Sequence, residues 1–278
     1  MTKEERYKLI MDQLLKRGSV LVSELSEMLD VSSVTIRKDL TEMEKSGKLY
    51  RSHGKAIIVN PFTNNRTVNE KEKLAPEEKY AIGMEAAKLI TYNDSIIIAS
   101  GTTIHSFAQC VKPIQKLTVV SASLKASMYL SQDSNIDIIQ LGGMLRHSSL
   151  SVVGSYGETF LLGCSFSKLF LGVDGIDPEY GISTTDLREA HLNQIMMGAA
   201  QKTIVLADSS KFGRRGFAKI ANLSDVDMII TDSNVSKQTM AKMEELGIEV
   251  VVAQIAATTK LSETDGSALP REERTIKI

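Results

Sequence analysis

The sequence predicts two fold classes in one chain: a small α+β module at the N-terminus and an α/β domain with a largely parallel, Rossmann-like sheet. Three observations carry that reading. Residues 1–59 show helical spacing that gives way to two short β-prone runs. Residues 60–76 are polar and interrupted by Pro61 and Pro76, which places a linker there. Beyond residue 94, short apolar runs alternate with helical segments, the pattern of a parallel sheet covered on both faces. The expected division is therefore 1–59, a linker at 60–76, an α/β domain at 77–253, and a polar tail at 254–278 read as disordered.

In the first module, residues 3–16 have apolar positions near a 3.6 period and read as a helix closed by Gly18. Ser23 reads as the N-cap of a helix over 24–29, with Leu25, Met28 and Leu29 on one face. Asp30-Val31-Ser32 makes a turn, and a third helix runs over 33–45. On it, Ile36, Leu40 and Met43 fall at i, i+4 and i+7 and form a buried stripe. Gly47 stops that helix, and residues 48–51 and 55–59 form a hairpin around Ser52-His53-Gly54.

Helix, turn, polar-headed helix, glycine and basic hairpin, in that order, describe a winged helix-turn-helix. Such a module lays the start of its last helix in the major groove of double-stranded DNA. Arginine chelates guanine, serine and threonine meet base edges or phosphate, and lysine favours phosphate. The candidate DNA contacts are Ser32, Ser33, Thr35, Arg37 and Lys38 on the helix, with Arg51, His53, Gly54 and Lys55 on the wing. A protein-interaction module with solvated charges is the competing reading of the same elements.

Bulk composition excludes more than it selects. The chain has 278 residues, 42% hydrophobic and 24% charged, as expected of two ordinary globular domains. Net charge is −1, so DNA contact must come from locally placed cations rather than a generally basic surface. Residues 1–60 hold 11 Lys/Arg against 9 Asp/Glu, only a weak basic bias. No run approaches the ~20 apolar residues of a membrane span, and the charged first residues do not suit a signal peptide, so a cytoplasmic protein is expected. Cys110 and Cys164 read as buried free thiols, and the four histidines are too scattered for a metal site. Neither a metal nor a cofactor is expected.

The strands of the α/β domain are expected at 95–99, 117–120, 136–141, 168–173, 203–206, 228–231 and 249–252. Ligands of such sheets bind at the carboxyl ends of the strands. There the sequence places Ser100-Gly101-Thr102-Thr103 at a helix start, an anion cradle, and Gly142-Gly143 followed by Arg146. Asp174 and Asp177 follow the fourth strand, Glu189 opens a helix, and Lys211 follows the fifth strand. Amides and cations suit a phosphate, while carboxylates accept sugar hydroxyls. The candidate effector residues are Ser100, Gly101, Thr102, Thr103, Gly142, Gly143, Arg146, Asp174, Glu189 and Lys211. Each has a bland alternative as a turn or solvated residue; their joint placement favours a site.

At these residues a resemblance becomes specific. Val31-Ser32-x-x-Thr35-Ile36-Arg37-Lys38-Asp39-Leu40 and Arg51-x-His53-Gly54-Lys55-Ala56 resemble the DeoR family of bacterial transcription repressors. The family usually carries a second glycine where Lys55 stands. Ser100-Gly101-Thr102-Thr103, Gly172-Val173-Asp174-Gly175 and Asp208-Ser209-Ser210-Lys211-Phe212-Gly213 resemble its sensor domain, which is similar to ribose-5-phosphate isomerase. The resemblance implies a homo-oligomeric repressor (a dimer or tetramer) of carbohydrate-catabolism genes that leaves its operator when a phosphorylated sugar binds. It also implies that a linker arginine, here Arg66, ties the linker to the body. The alternative is an isomerase with an appended DNA-binding domain, Glu189 serving as base. Related isomerases place a lysine ahead of that glutamate, and residues 178–188 contain none, which favours binding without turnover.

Overall fold

The computed structural model describes residues 1–45, 49–52, 54–58, 68–113 and 115–255. The N-terminal module contains α1 (Lys3–Arg17), β1 (Ser19–Leu21), α2 (Val22–Leu29), α3 (Ser33–Lys45), β2 (Leu49–Ser52) and β3 (Lys55–Ile58). A capping box formed by Thr2 and Glu5 starts α1, and Gly18 ends it. The stripe on α3 is as expected: Ile36, Leu40 and Met43 are buried with Ile10, Leu14, Leu25 and Leu49 in one cluster. The buried Asp39 receives both arms of Arg6 at 2.7 and 3.1 Å, which fastens α1 to α3.

Two details differ from expectation. Helix α2 begins at Val22 with Leu21 as N-cap, and Ser23 makes no capping bond. The chain enters α2 straight from β1, so Val22 N–H donates instead to Gly54 C=O at 2.9 Å. β1 itself was not expected; it pairs with β3 and makes the wing a three-stranded sheet, β1-β3-β2.

The second domain opens with α4 (Val68–Glu72) and α5 (Pro76–Ala87). Next come β4 (Ser95–Ile98), α6 (Thr102–Cys110), β5 (Leu117–Ser121), α7 (Leu124–Leu130) and β6 (Ile136–Gln140). A hairpin of β7 (Met144–Arg146) and β8 (Ser151–Val153) leads to α8 (Ser155–Leu162) and β9 (Lys168–Gly172). Then follow β10 (Gly175–Asp177), β11 (Gly181–Thr184), α9 (Leu187–Ala199), β12 (Thr203–Leu206), β13 (Ala218–Ala221), β14 (Met228–Asp232), α10 (Lys237–Glu245) and β15 (Glu249–Ala253).

All seven expected strands form one sheet, in the order β15-β14-β12-β9-β4-β5-β6, and every pair is parallel. Alternate strand residues feed two cores. Ile96, Ile98, Phe170 and Ile204 face α5, α6 and α7, whereas Ile97, Leu169, Leu171 and Val205 face α8, α9 and α10. Winding runs outward from β4 to β6, then resumes at β9 on the other side of β4. The crevice at such a reversal, beyond the carboxyl ends of β4 and β9, is where an α/β sheet offers a binding site. The small antiparallel sheet β10-β11-β13 roofs one side of it.

The segment read as linker is partly structured. Val68 is buried and its N–H donates to Ser148 C=O at 2.7 Å, so α4 belongs to the body of this domain. Gly47, His53, Arg66 and the tail beyond residue 255 lie outside the described residues. Both cysteines are free and half-buried rather than fully buried, and burial raises the pKa of the Cys110 thiol.

Candidate functional site

Ser100 follows β4, and Gly101 directly precedes α6, so the Thr102 and Thr103 amides stand among the helix's first donors, which lack partners within it. Both threonines line a cleft with Ser100, Gly101, Arg146, Asp174, Glu189 and Lys211. The close approach of β9 to this turn requires Gly172, where an added Cβ would sit 2.7 Å from Ser100 O.

Glu189 is the hub of one side. Asp186 caps α9 by accepting from the Arg188 and Glu189 amides, which fixes the first turn. The Glu189 carboxylate then accepts from Ser100 Oγ at 2.6 Å and from the Arg146 guanidinium. Arg146 also lies 3.4 Å from Asp186 and donates to Ser149 Oγ at 3.1 Å. Asp174 is the hub of the other side. It accepts from Lys71 Nζ at 2.7 Å and from Thr184 Oγ1 at 3.2 Å. Burial alone would raise the Asp174 pKa; Lys71 and Lys211 overcome it and hold the carboxyl well below the ordinary range. Burial likewise works against the Lys71 ammonium, and Asp174 reverses the sign, so the pair is ionised at neutral pH. Lys211 has a looser partner, Asp208 at 3.9 Å.

Eight of the ten expected effector residues thus converge. Gly142 and Gly143 do not line the cleft. Gly143 serves the β7–β8 hairpin instead, where an added Cβ would lie 2.5 Å from Val153 O. Asp177 is also elsewhere, paired with Arg215 at 2.9 Å. Sequence reasoning missed Lys71, Ser148, Ser149, Thr184 and Thr185 as lining residues. Lys71 sits in a five-residue helix, too short to show a period.

Helix α3 is the candidate groove-reading helix. Ser32 Oγ accepts from Thr35 N–H at 3.2 Å and caps α3. Ser33, Arg37 and Lys38 are exposed, and Thr35 is half-buried. Val34, not anticipated, is 75% exposed beside them, an apolar group suited to a thymine methyl. Arg51 departs from its expected role. Its Nε donates to Glu44 Oε2 at 2.8 Å and its Nη1 to Thr41 Oγ1 at 2.8 Å, so the side chain braces the wing against α3. Gly54 and Lys55 are exposed at the wing.

Comparison with known proteins gives the same two parts. A DeoR-like helix-turn-helix domain matches residues 6–62, and a DeoR C-terminal sensor domain matches residues 74–233, more than half of the chain. The chain belongs to the DeoR family. This DeoR-family protein is 37% identical over 252 residues to the uncharacterized HTH-type transcriptional regulator YulB of Bacillus subtilis, spanning 91% of this chain and 97% of that one. It is 34% identical over 235 residues to the lactose phosphotransferase system repressor of Streptococcus mutans, over 84% and 93% of the two chains. It is 30% identical over 254 residues to the HTH-type transcriptional repressor GlcR of Bacillus subtilis, over 91% and 98%. Ribose 5-phosphate isomerase A of Neisseria gonorrhoeae aligns over 49% of this chain and 53% of its own at 20% identity and TM-score 0.36, too low to bear on activity.

Proposed function

We propose that this DeoR-family protein is a DNA-binding transcriptional repressor of carbohydrate-catabolism genes, released from its operator by a phosphorylated sugar. The carrying observation is the cleft itself: three cations, a helix start and two carboxylates converge at the winding reversal of the sheet, in a chain that also carries an exposed groove-reading helix. A relative named a lactose phosphotransferase system repressor supports the carbohydrate assignment, and one named the transcriptional repressor GlcR supports repression. The cation set suits the phosphate, and Asp174 and Glu189 suit hydroxyls.

Binding proceeds without turnover. An isomerase base needs a free lone pair aimed at a carbon-bound proton, with a cation steadying the enediolate. Glu189 is held by Ser100 and Arg146, an arrangement that suits a fixed hydroxyl acceptor better than a base that must move a proton between carbons. The protein works in the cytoplasm as a dimer or tetramer, because one winged module binds weakly and paired modules engage half-sites ~34 Å apart or at multiples of that spacing. No helix among the described residues is long and apolar enough to cross a membrane.

The test couples both sites. Genomic fragments retained by the full chain are sequenced, and retention is titrated with sugar phosphates that raise its melting temperature. Selective retention that falls as one phosphosugar saturates is expected. Retention that stays constant across every saturating phosphosugar refutes the coupling, and pentose phosphate turnover abolished by Glu189→Gln revives the isomerase.

A further inference from the structure

Helix α4 joins the winged module, through residues 59–67, to the effector cleft, and four ties hold it down. Val68 N–H donates to Ser148 C=O in the β7–β8 loop at 2.7 Å. The Glu72 carboxylate lies 3.0 Å from His105 Nδ1 and accepts from Lys125. Lys79, buried in α5, donates to the Lys71 carbonyl at 2.6 Å and to the Leu74 carbonyl, capping the end of α4 with a cation. Lys71 is the fourth tie, at 2.7 Å from Asp174.

The first and fourth ties both join cleft-lining residues, and the fourth is the one made between charged side chains. The space within this partly open cleft is about 60 Å³, room for a few waters as the side chains stand. Lys71 and Asp174 are in direct contact across it. Thr184 and Thr185 donate to Asp174 Oδ2, so a ligand hydroxyl accepted by Oδ1 competes with Nζ there, and a hydroxyl between the two groups would part them to roughly 5 Å, two hydrogen bonds end to end. A phosphate dianion is also a stronger partner for an ammonium than one carboxylate is.

We propose that Lys71 is an effector-contacting residue lent to the cleft by α4, and that the ligand exchanges the Lys71–Asp174 pair for its own phosphate and hydroxyls, loosening α4. This rests on the reading of the cleft as a phosphosugar site and names the element that carries its signal. Loss of one charged tie loosens the helix that follows the DNA-binding module in the chain, while the Val68, Glu72 and Lys79 ties keep it on the domain. Differential contact in the two states is what allows a ligand to shift them.

Hydrogen exchange on the full chain tests this, read on peptides covering residues 68–72, with ribose 5-phosphate, fructose 6-phosphate and inorganic phosphate as probes. Lys71→Gln and Asp174→Asn, checked for unchanged melting of the rest of the chain, should each speed exchange of α4 about tenfold without any probe. A sugar phosphate that raises the wild-type melting temperature should produce the same increase, and should add little in either variant. Unchanged α4 exchange in both variants overturns the tie. A sugar phosphate that protects residues 100–103 yet leaves α4 unchanged leaves the phosphosugar reading standing and overturns the exchange. Absence of binding by all three probes overturns the ligand-driven step, and counts separately against the phosphosugar reading.

Discussion

Arg37 and Arg51 carry the same charge and do different work. Arg37 is exposed on the first turns of α3, where we propose that base edges are read. Arg37→Ala should cost about 1–3 kcal/mol at one operator position and erase selectivity in a mobility-shift assay at fixed salt. If that variant selects its operator unchanged, α3 does not read the groove through Arg37. Arg51 is already paired with Glu44. Arg51→Ala should weaken binding through a loosened wing while the slope of log affinity against log salt stays the same. Lys55→Ala should reduce that slope by about one, the mark of a lost phosphate contact. Equal slope changes in the two variants would return Arg51 to the DNA backbone. Sequence alone could not separate the two arginines, because the Glu44 contact spans seven residues and depends on the wing folding back.

The elements were legible in proportion to their burial. The seven strands of the parallel sheet are visible as apolar-rich runs because both faces of the sheet are covered, as Ile96 and Ile97 show by entering different cores. Strands β10, β11 and β13 are equally short or shorter and lie outside that sheet, without its alternation with helices, so they read as loop. Helix α4 was hidden for a related reason: one buried valine in five residues makes no period. The cleft followed the same rule. Residues placed after strands of the parallel sheet are legible, and those brought in by α4, by the β7–β8 loop and by the end of β11 are not. The stripe on α3 offers a stability test. Leu40 is fully buried, and Leu40→Ala should cost about 2–5 kcal/mol, enough to unfold a module this small. Urea titration with exchange read on α1–α3 should show that loss there and leave the parallel sheet unaffected; a wild-type midpoint for the module would contradict the packing.

At the scale of the whole molecule, ion pairs tie distant segments and make stability sensitive to acid. Asp94, 7% exposed, receives Lys168 Nζ at 2.6 Å and the Thr91 amide at 2.6 Å. Burial opposes its charge, yet Lys168, Thr91 and Ser167 leave its pKa lowered. A carboxyl depressed in the folded state stabilises it fully above its unfolded pKa, about 3.9, and that stability is lost as pH falls through the folded value. The urea midpoint of the α/β domain should therefore drop between pH 5 and pH 3, and Asp94→Asn should drop less over the same interval. Identical drops would assign the acid sensitivity to other carboxylates. Lys79 is the opposite case: burial, its largest influence, pushes its pKa down to about 8 while Asp208 opposes.

The seating of α4 also decides where this protein can be cut. A sensor fragment begun at residue 77, where the linker was expected to end, would lack Lys71, one of three cleft cations, and would strip His105 of its carboxylate neighbour. Calorimetric titration of that fragment would survey a different receptor from the one in the full chain, one whose preferences favour less anionic ligands. A fragment begun ahead of Val68 retains the native set, so the ratio of phosphosugar affinities between the two truncations measures how much of the receptor the tether itself supplies.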